Sequence, residues 1–522
     1  MIRKLCLGSL IFIQVACKKP VDTAHSLVQG PNIIYILADD LGYGELGAYG
    51  QKLIETPNID ALAADGMMFT QHYSSAPVCA PARYMLMTGS HSGHAFIRGN
   101  DEWSERGEVW NFKAAVKDAS LEGQRPVPDS VIFFPQLLKD VGYTTGMSGK
   151  WGLGAPQTNS IPTRKGFDFF FGYNCQRQAH TYYPVHLYHN ENRVFLGNDT
   201  IPPGTKLPEN ADPNDPESYS NYTLKSYAPE VMFREMMNFI ETNRDNPFFF
   251  YWASPIPHNP IQAPPKWVAY YQEKFGEEEP YTGQKGYFPH ISPRAGYAAQ
   301  ISYLDENVGK LVAYLKRSGL YENTIIVFTS DNGVTYSGGT DGEFFNSSGP
   351  FGEVYGKGKG FVYEGGIRVP MIVSWPGHVE AGSSTDLISA QYDVYATLAE
   401  ITGFEPGDND GISFLPTLLG DPEGNELHDF LYWEFPEYGG QVAIRMGPWK
   451  VIRRNLKNEK IAATLELYNL DSDPEEALNV AEQHPEIIEK AAAIFKAEHQ
   501  DAATENFRIP VISNGLLSDL GQ

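Results

Sequence analysis

Two pairs of hard oxygen donors lie far apart in the chain, Asp39-Asp40 and Asp331-Asn332. Each pair ends a continuous apolar run of strand length, Asn32 to Ala38 and Thr324 to Ser330, the pattern of a strand buried on both faces of a parallel sheet. Open parallel sheets collect ligands at the carboxyl ends of their strands, so Asp39, Asp40, Asp331 and Asn332 are candidates to share one cation. No Cys or His stands beside them at zinc spacing, and an all-oxygen set takes Ca²⁺ or, less favourably, Mg²⁺ rather than a softer ion. Taken singly, each pair reads more simply as a cap for the turn that follows. The metal reading rests on two strand ends matching.

The elements needed to hold such a site are present. Ile301, Leu304, Val308, Leu311, Val312 and Leu315 recur at helical spacing between Tyr297 and Ser318, so a helix feeds the second strand. Phe248 to Trp252 and Met371 to Trp375 read as further buried strands, and Asp393 to Ile401 as an amphipathic helix. Polar, Pro-rich stretches at 202–219 and 260–294 read as irregular insertions of the kind that build clefts. After about residue 426 the pattern changes to short strands, Phe430 to Phe435, Gln441 to Arg445 and Trp449 to Arg453, with a helix near Pro485 to His499. We read residues 28–425 as a catalytic α/β domain and 426–522 as a small, mainly antiparallel α+β subdomain.

Composition narrows the partners. The 522 residues carry 64 Asp and Glu against 40 Lys and Arg, a formal charge of −24, which argues against nucleic acid as a partner because phosphate binding needs clustered cations. Arg3 and Lys4 precede the apolar run Leu5 to Ile13 and then Gln14-Val15-Ala16-Cys17, the layout of a bacterial secretory signal over residues 1–17. The run is shorter than the roughly 20 residues a transmembrane helix needs. Two outcomes stay open at its end: ordinary cleavage, or a lipid anchor on Cys17. Either places the protein outside the cytoplasm, in the periplasm or as an outer-membrane lipoprotein. The four cysteines, Cys6, Cys17, Cys79 and Cys175, support no disulfide framework.

The stretch Ser74-Ser-Ala-Pro-Val-Cys79-Ala-Pro81-Ala-Arg83-Tyr-Met-Leu-Met-Thr88-Gly89 resembles the signature of the sulfatase family, Cys-x-Pro-x-Arg followed closely by Thr-Gly. Asp39-Asp40-Leu-Gly-Tyr-Gly-Glu-Leu-Gly47, Gly149-Lys150-Trp151, Pro257-His258-Asn-Pro260, Asp331-Asn332-Gly333 and Gly358-Lys359-Gly-Phe-Val-Tyr-Glu364-Gly-Gly366 are similar to further family blocks, in the family's order, over roughly residues 31–480. The resemblance implies an alkaline-phosphatase-like α/β/α sandwich with a mostly parallel central sheet. It also implies that a separate maturation enzyme oxidises Cys79 to formylglycine, whose hydrate is a geminal diol. A sulfate ester is anionic and repels an anionic nucleophile, so the site must neutralise the ester and activate one diol hydroxyl, as a bound cation does. That hydroxyl attacks sulfur, and the second collapses to the aldehyde and expels sulfate, which a thiol cannot do. Cys79 thereby joins the four oxygen donors as a metal ligand. Arg83, one helical turn on, holds the hydrate; Lys150 and Lys359 contact sulfate, with Lys357 a competing candidate; His258 is the general acid.

One departure from the family stands out. Many members carry Gly-Lys-Trp-His-Leu-Gly, whereas this chain has Gly149-Lys150-Trp151-Gly152-Leu153-Gly154, and we expect His94 or His91 to fold back over the diol in compensation. The segment from Gly172 to Tyr183 concentrates polar and aromatic side chains, a combination suited to sugars. Arg177 and His180 within it, with His94 and Arg98, are the candidate substrate contacts. The expected substrate is accordingly a sulfated glycan. Rival readings are a phosphate or phosphonate ester hydrolase of the same superfamily, and a catalytically impaired glycan-binding lipoprotein.

Overall fold

The computed structural model describes residues 30–513 other than 353 and 459. The signal-like segment, with Cys6 and Cys17, lies outside the described residues. Five strands, β1 (Asn32–Asp39), β2 (Thr144–Lys150), β3 (Phe169–Tyr173), β4 (Phe248–Pro257) and β5 (Thr324–Ser330), form the parallel centre of a 10-stranded sheet. They run side by side in the order β5-β1-β4-β2-β3. Every residue of β1 is buried, because alternate side chains enter different cores. Ile33, Tyr35 and Leu37 pack with Met85, Leu86 and Leu398 on one face. Ile34, Ile36 and Ala38 pack with Ile301, Leu304 and Val308 of the 26-residue helix Pro293–Ser318 on the other. That is the three-layer α/β/α arrangement, and it explains why β1 and β5 are continuous apolar runs.

The sheet is mixed at its margins. Met371–Ser374 runs antiparallel to β5, and His186–His189 and Asn192–Phe195 add an antiparallel hairpin beyond β3. The insertion at 260–294 is not wholly irregular, as its composition suggested. Pro265 starts the helix Pro265–Phe275, since proline suits the first turn, where its missing N–H costs nothing. The long helix likewise starts at Pro293, before the Tyr297 at which its apolar periodicity begins.

The carboxyl-terminal region is a four-stranded antiparallel sheet, Leu431–Phe435, Gln441–Met446, Trp449–Arg454 and Thr464–Asn469, in sequence order. The fourth strand was not expected, although Leu465 and Leu467 alternate with polar neighbours as a half-buried strand should. One face carries the helix Pro485–Glu498 through Ile488, Ala491 and Phe495. The other presents Trp433, Phe435, Ala443 and Ile452 to Tyr73, Val78, Val362 and Ile367 of the large domain. Among the described residues no helix is long and apolar enough to cross a membrane.

Candidate active site

Parallel pairing puts the ends of β1, β2, β4 and β5 on one edge of the sheet. Ala38 lies opposite Ser330, Asp39 opposite Pro257 and Gly149 opposite Ala253. Asp39, Asp331, Lys150 and His258 therefore leave the sheet side by side. Gly149 permits the close pairing: a Cβ there would lie 1.8 Å from the Ala253 carbonyl oxygen. Asp40 adopts φ 67°, a left-handed conformation that Asp tolerates. Its amide N–H donates to Asp331 Oδ1 at 3.1 Å, and Asn332 Nδ2 donates to Asp40 Oδ1 at 2.8 Å. All four oxygen-bearing residues are fully or almost fully buried. One ligand atom each from Asp39, Asp40, Cys79 and His258 lies within 4.8 Å of the others.

A hard cation fits this cradle. Asp39 Oδ1 and Asn332 Oδ1 are both buried with no hydrogen-bond partner, and two lone acceptors left unmade cost free energy that a cation would repay. The donor set is carboxylate and amide oxygen, as Ca²⁺ prefers.

Cys79 opens the helix Cys79–Thr88, preceded by Val78 in extended conformation. It is 2% exposed, and burial pushes its thiol up to about 12 despite nearby Lys150 and Lys359, so the unmodified residue is a poor nucleophile. Arg83 lies one turn on. Its Nε and Nη2 donate to Asp331 Oδ2 at 3.0 and 2.8 Å, and its Nη1 donates to the Lys150 carbonyl at 2.8 Å. Lys150 Nζ lies 2.7 Å from Asp39 Oδ2, and Lys359 Nζ 2.7 Å from Asp40 Oδ1. Burial alone would raise the Asp39 carboxyl, but Lys150, His258 and Arg83 outweigh it and hold it well below the carboxylate range. Asp331 is instead pushed up, by burial and then by the charge on Asp39. Lys357, the competing candidate, donates to the carbonyls of Glu475 and Glu476 and is therefore not in the site.

His258 Nδ1 is 2.5 Å from the Asn259 carbonyl oxygen, which fixes the proton there and leaves Nε2 free, 3.7 Å from Asp40 Oδ2. Burial lowers its pKa, with Lys359 adding to the effect. The His180 ring stacks on it at 5.1 Å between centroids, and Tyr287 closes edge-on against both. His180 thus touches the centre directly, and it also lines a cavity of about 640 Å³ with Arg177, Trp110, Lys113, Glu102 and Gln124.

Gly152 has φ 77°, and a Cβ there would lie 2.4 Å from Gln176 Cγ. Gln176 occupies the space into which a side chain at 152 would grow. Its Nε2 reaches Asn100 Oδ1 at 3.4 Å, and that oxygen also accepts the Ala80 N–H just behind Cys79. Gln176, Asn100 and Tyr287 were absent from the expected set. Only the position of Gln176 beside Arg177 in the polar segment hinted at it.

Two expectations are corrected. His91 and His94 do not fold over Cys79: they stack on each other at 4.2 Å, His94 Nδ1 lies 2.9 Å from Asp410 and His91 Nε2 3.2 Å from Glu498. They follow a 10-residue helix, which carries them roughly 15 Å along its axis from Cys79. Arg98 is 2% exposed and has its guanidinium committed to Glu434 and to the carbonyls of Gly93, Ala95 and Gln500. It braces the small subdomain, and its buried guanidinium is directed to these partners rather than to a substrate.

Comparison with known proteins finds relatives over most of the chain. The family model described as Sulfatase matches residues 31–404, and one described as N-sulphoglucosamine sulphohydrolase, C-terminal, matches 352–500. N-acetylgalactosamine-6-sulfatase of Rattus norvegicus is 32% identical over 443 residues, covering 81% of this chain and 71% of the rat protein. The structure of Ps i-CgsB in complex with k-i-k-neocarrahexaose superposes with a TM-score of 0.70 at 27% identity, covering 94% of this chain and 97% of that one. A Bacteroides thetaiotaomicron protein, solved in work on the metabolism of multiple glycosaminoglycans, gives 0.68 at 25% identity over 90% and 99%.

Proposed function

Because this chain belongs to the sulfatase family and hydrolyses sulfate esters on an alkaline-phosphatase-like fold, we propose that its substrates are sulfated glycans and that its nucleophile is a formylglycine at position 79, made from Cys79 by a maturation enzyme. The observation that carries this reading is the meeting of Asp39, Asp40, Cys79 and His258 within 4.8 Å, between the ammonium groups of Lys150 and Lys359. Asp39, Asp40, Asp331 and Asn332 would hold Ca²⁺, which supplies positive charge against the sulfate and acidifies a hydroxyl at residue 79.

The remaining work falls to the chain itself. Lys150 and Lys359 neutralise the sulfate oxygens, and Arg83 fixes Asp331 while lying under residue 79. His258 is oriented by its Nδ1 contact so that Nε2 faces the centre. Nε2 is thereby placed to pass a proton to the leaving alkoxide as general acid. The neighbouring His180 and Tyr287 rings keep water from the far side of His258. The glycan assignment draws support from the names of the relatives, from the cavity of about 640 Å³ beside His180 and from the exposed Trp110 at its mouth. Export, as a periplasmic protein or an outer-membrane lipoprotein, fits such a substrate.

Peptide mass spectrometry across Cys79, combined with a sulfate-release screen on sulfated sugars and matched aryl sulfates and phosphates, tests the proposal. Conversion of the thiol to the aldehyde, release from sugars, and loss of release on chelation restored by Ca²⁺ better than by Mg²⁺ are the expected results. An active enzyme with an unmodified Cys79, or turnover of phosphate esters in preference to sulfates, would overturn it.

A further inference from the structure

The cavity beside the catalytic centre contains a guanidinium with no hydrogen-bond partner. Arg177 is 7% exposed, yet its Nε, Nη1 and Nη2 are all buried and make no hydrogen bond. Buried guanidinium groups are ordinarily paired, and leaving all three nitrogens unmet is costly. The segment carrying it is held on both sides. The Gln176 amide donates to Gln124 Oε1 at 3.2 Å, and Gln178 Nε2 donates to Glu122 Oε1 at 2.6 Å. Glu122 is further occupied by Tyr188, His186 and Arg193, so it takes no part in neutralising Arg177. The guanidinium lies 5.4 Å from the Trp110 ring centroid, and Trp110 is 70% exposed.

We propose that this cavity is an anion subsite, in which Arg177, with Lys113 beside it, binds a second oxyanion on the same saccharide while Trp110 takes a sugar face. The oxyanion is the carboxylate of an acidic sugar or a second sulfate, both of which match the planar fork of Arg. The inference rests on the glycan reading above. The neighbouring acids do not fill the role. Asp101 is paired with Arg125 at 2.5 Å. Glu102 Oε1 accepts from Gln124, its Oε2 is buried without a partner, and burial pushes its carboxyl up to about 7 against the pull of Arg177 and Arg106. Burial thus biases Glu102 toward its neutral form, which leaves the charge on Arg177 uncompensated.

Three probes test the subsite: N-acetylgalactosamine 6-sulfate, the same sugar with an additional 4-sulfate, and the disaccharide in which a uronate is linked to the 6-sulfated sugar. The matured wild-type enzyme is expected to favour one of the two doubly charged probes in kcat/KM, and which one identifies the source of the second anion. Arg177→Gln should shrink that preference roughly 10- to 100-fold, the usual worth of hydrogen bonds to a charged group, and Arg177→Lys should retain part of it. If Arg177→Gln lowers the melting temperature, Trp110→Ala, at an exposed position, should shrink the same ratio. Calorimetric titration of the Cys79→Ser protein with the three probes reads binding without turnover and should show the same loss in Arg177→Gln. Equal handling of all three probes by the wild type, or an equal loss on all three in Arg177→Gln, overturns the subsite. Turnover of aryl sulfates with selective binding, but no cleavage, of the charged saccharides would instead sink the glycan-hydrolase reading and leave the subsite standing.

Discussion

Restoring the family's histidine at position 152 should damage this enzyme. Gly152 sits at φ 77°, where a side-chain-bearing residue loses about 1–2 kcal/mol. Its new Cβ would lie 2.4 Å from Gln176 Cγ, and overpacking of that kind adds roughly 1–3 kcal/mol. Gly152→His should therefore lose about 2–5 kcal/mol of stability in total. Activity should fall as well, because Gln176 is linked through Asn100 to the amide of Ala80 and is covalently next to Arg177. Thermal unfolding and kcat/KM for an aryl sulfate, measured on Gly152→His, Gln176→Ala and the double variant, separate the effects. The double variant should recover most of the steric part and none of the backbone part, leaving about 1–2 kcal/mol. A Gly152→His enzyme with wild-type melting temperature and raised kcat would refute the reasoning, since it would mean that the space holds an imidazole without conflict.

His180, stacked on His258, is the histidine that the fold does bring to the centre, so His180→Ala should cut kcat by about 10²-fold or more, the scale of a lost proton-handling or orienting group; a change confined to KM would assign it to substrate binding alone. Asp410 raises the His94 pKa, chiefly by hydrogen bonding. The stabilisation from that pair is then complete below about pH 6.5 and fades as pH rises through the higher folded value. Burial shifts His91 the opposite way, with Asp410 opposing that shift; Asp410 thus favours the charged form of both rings, so Asp410→Asn should lower the melting temperature more near pH 6 than near pH 8.5, and an equal loss at both would contradict the assignment.

The convergence of Asp39, Asp40, Asp331 and Asn332 was legible because these side chains stand at the ends of strands buried on both faces, and such strands advertise themselves as unbroken apolar runs. Parallel pairing then brings their ends together whatever the chain between them does. Residues held by loops gave no such signal. Asn100 and Gln176 meet only because the Gly152 turn leaves a gap, and Tyr287 reaches His258 from a segment whose composition suggested irregular chain. The destination of His91 and His94 was misjudged for a different reason. The helix Cys79–Thr88 is rigid and carries whatever follows it away from its first residue, toward Asp410 and Glu498 on segments far later in the sequence. Arg98 illustrates the same blindness, since a buried brace and a ligand contact look identical until the partner, Glu434, is in place.

The Trp433 indole N–H donates to the Ser74 carbonyl at 2.9 Å, so the late-synthesised sheet is latched onto the loop that leads into Cys79. Cys79 is 2% exposed in the folded chain, so its sulfur presents almost no surface to a second macromolecule. An enzyme that oxidises residue 79 would on this account act more readily before the late sheet docks on that loop than after.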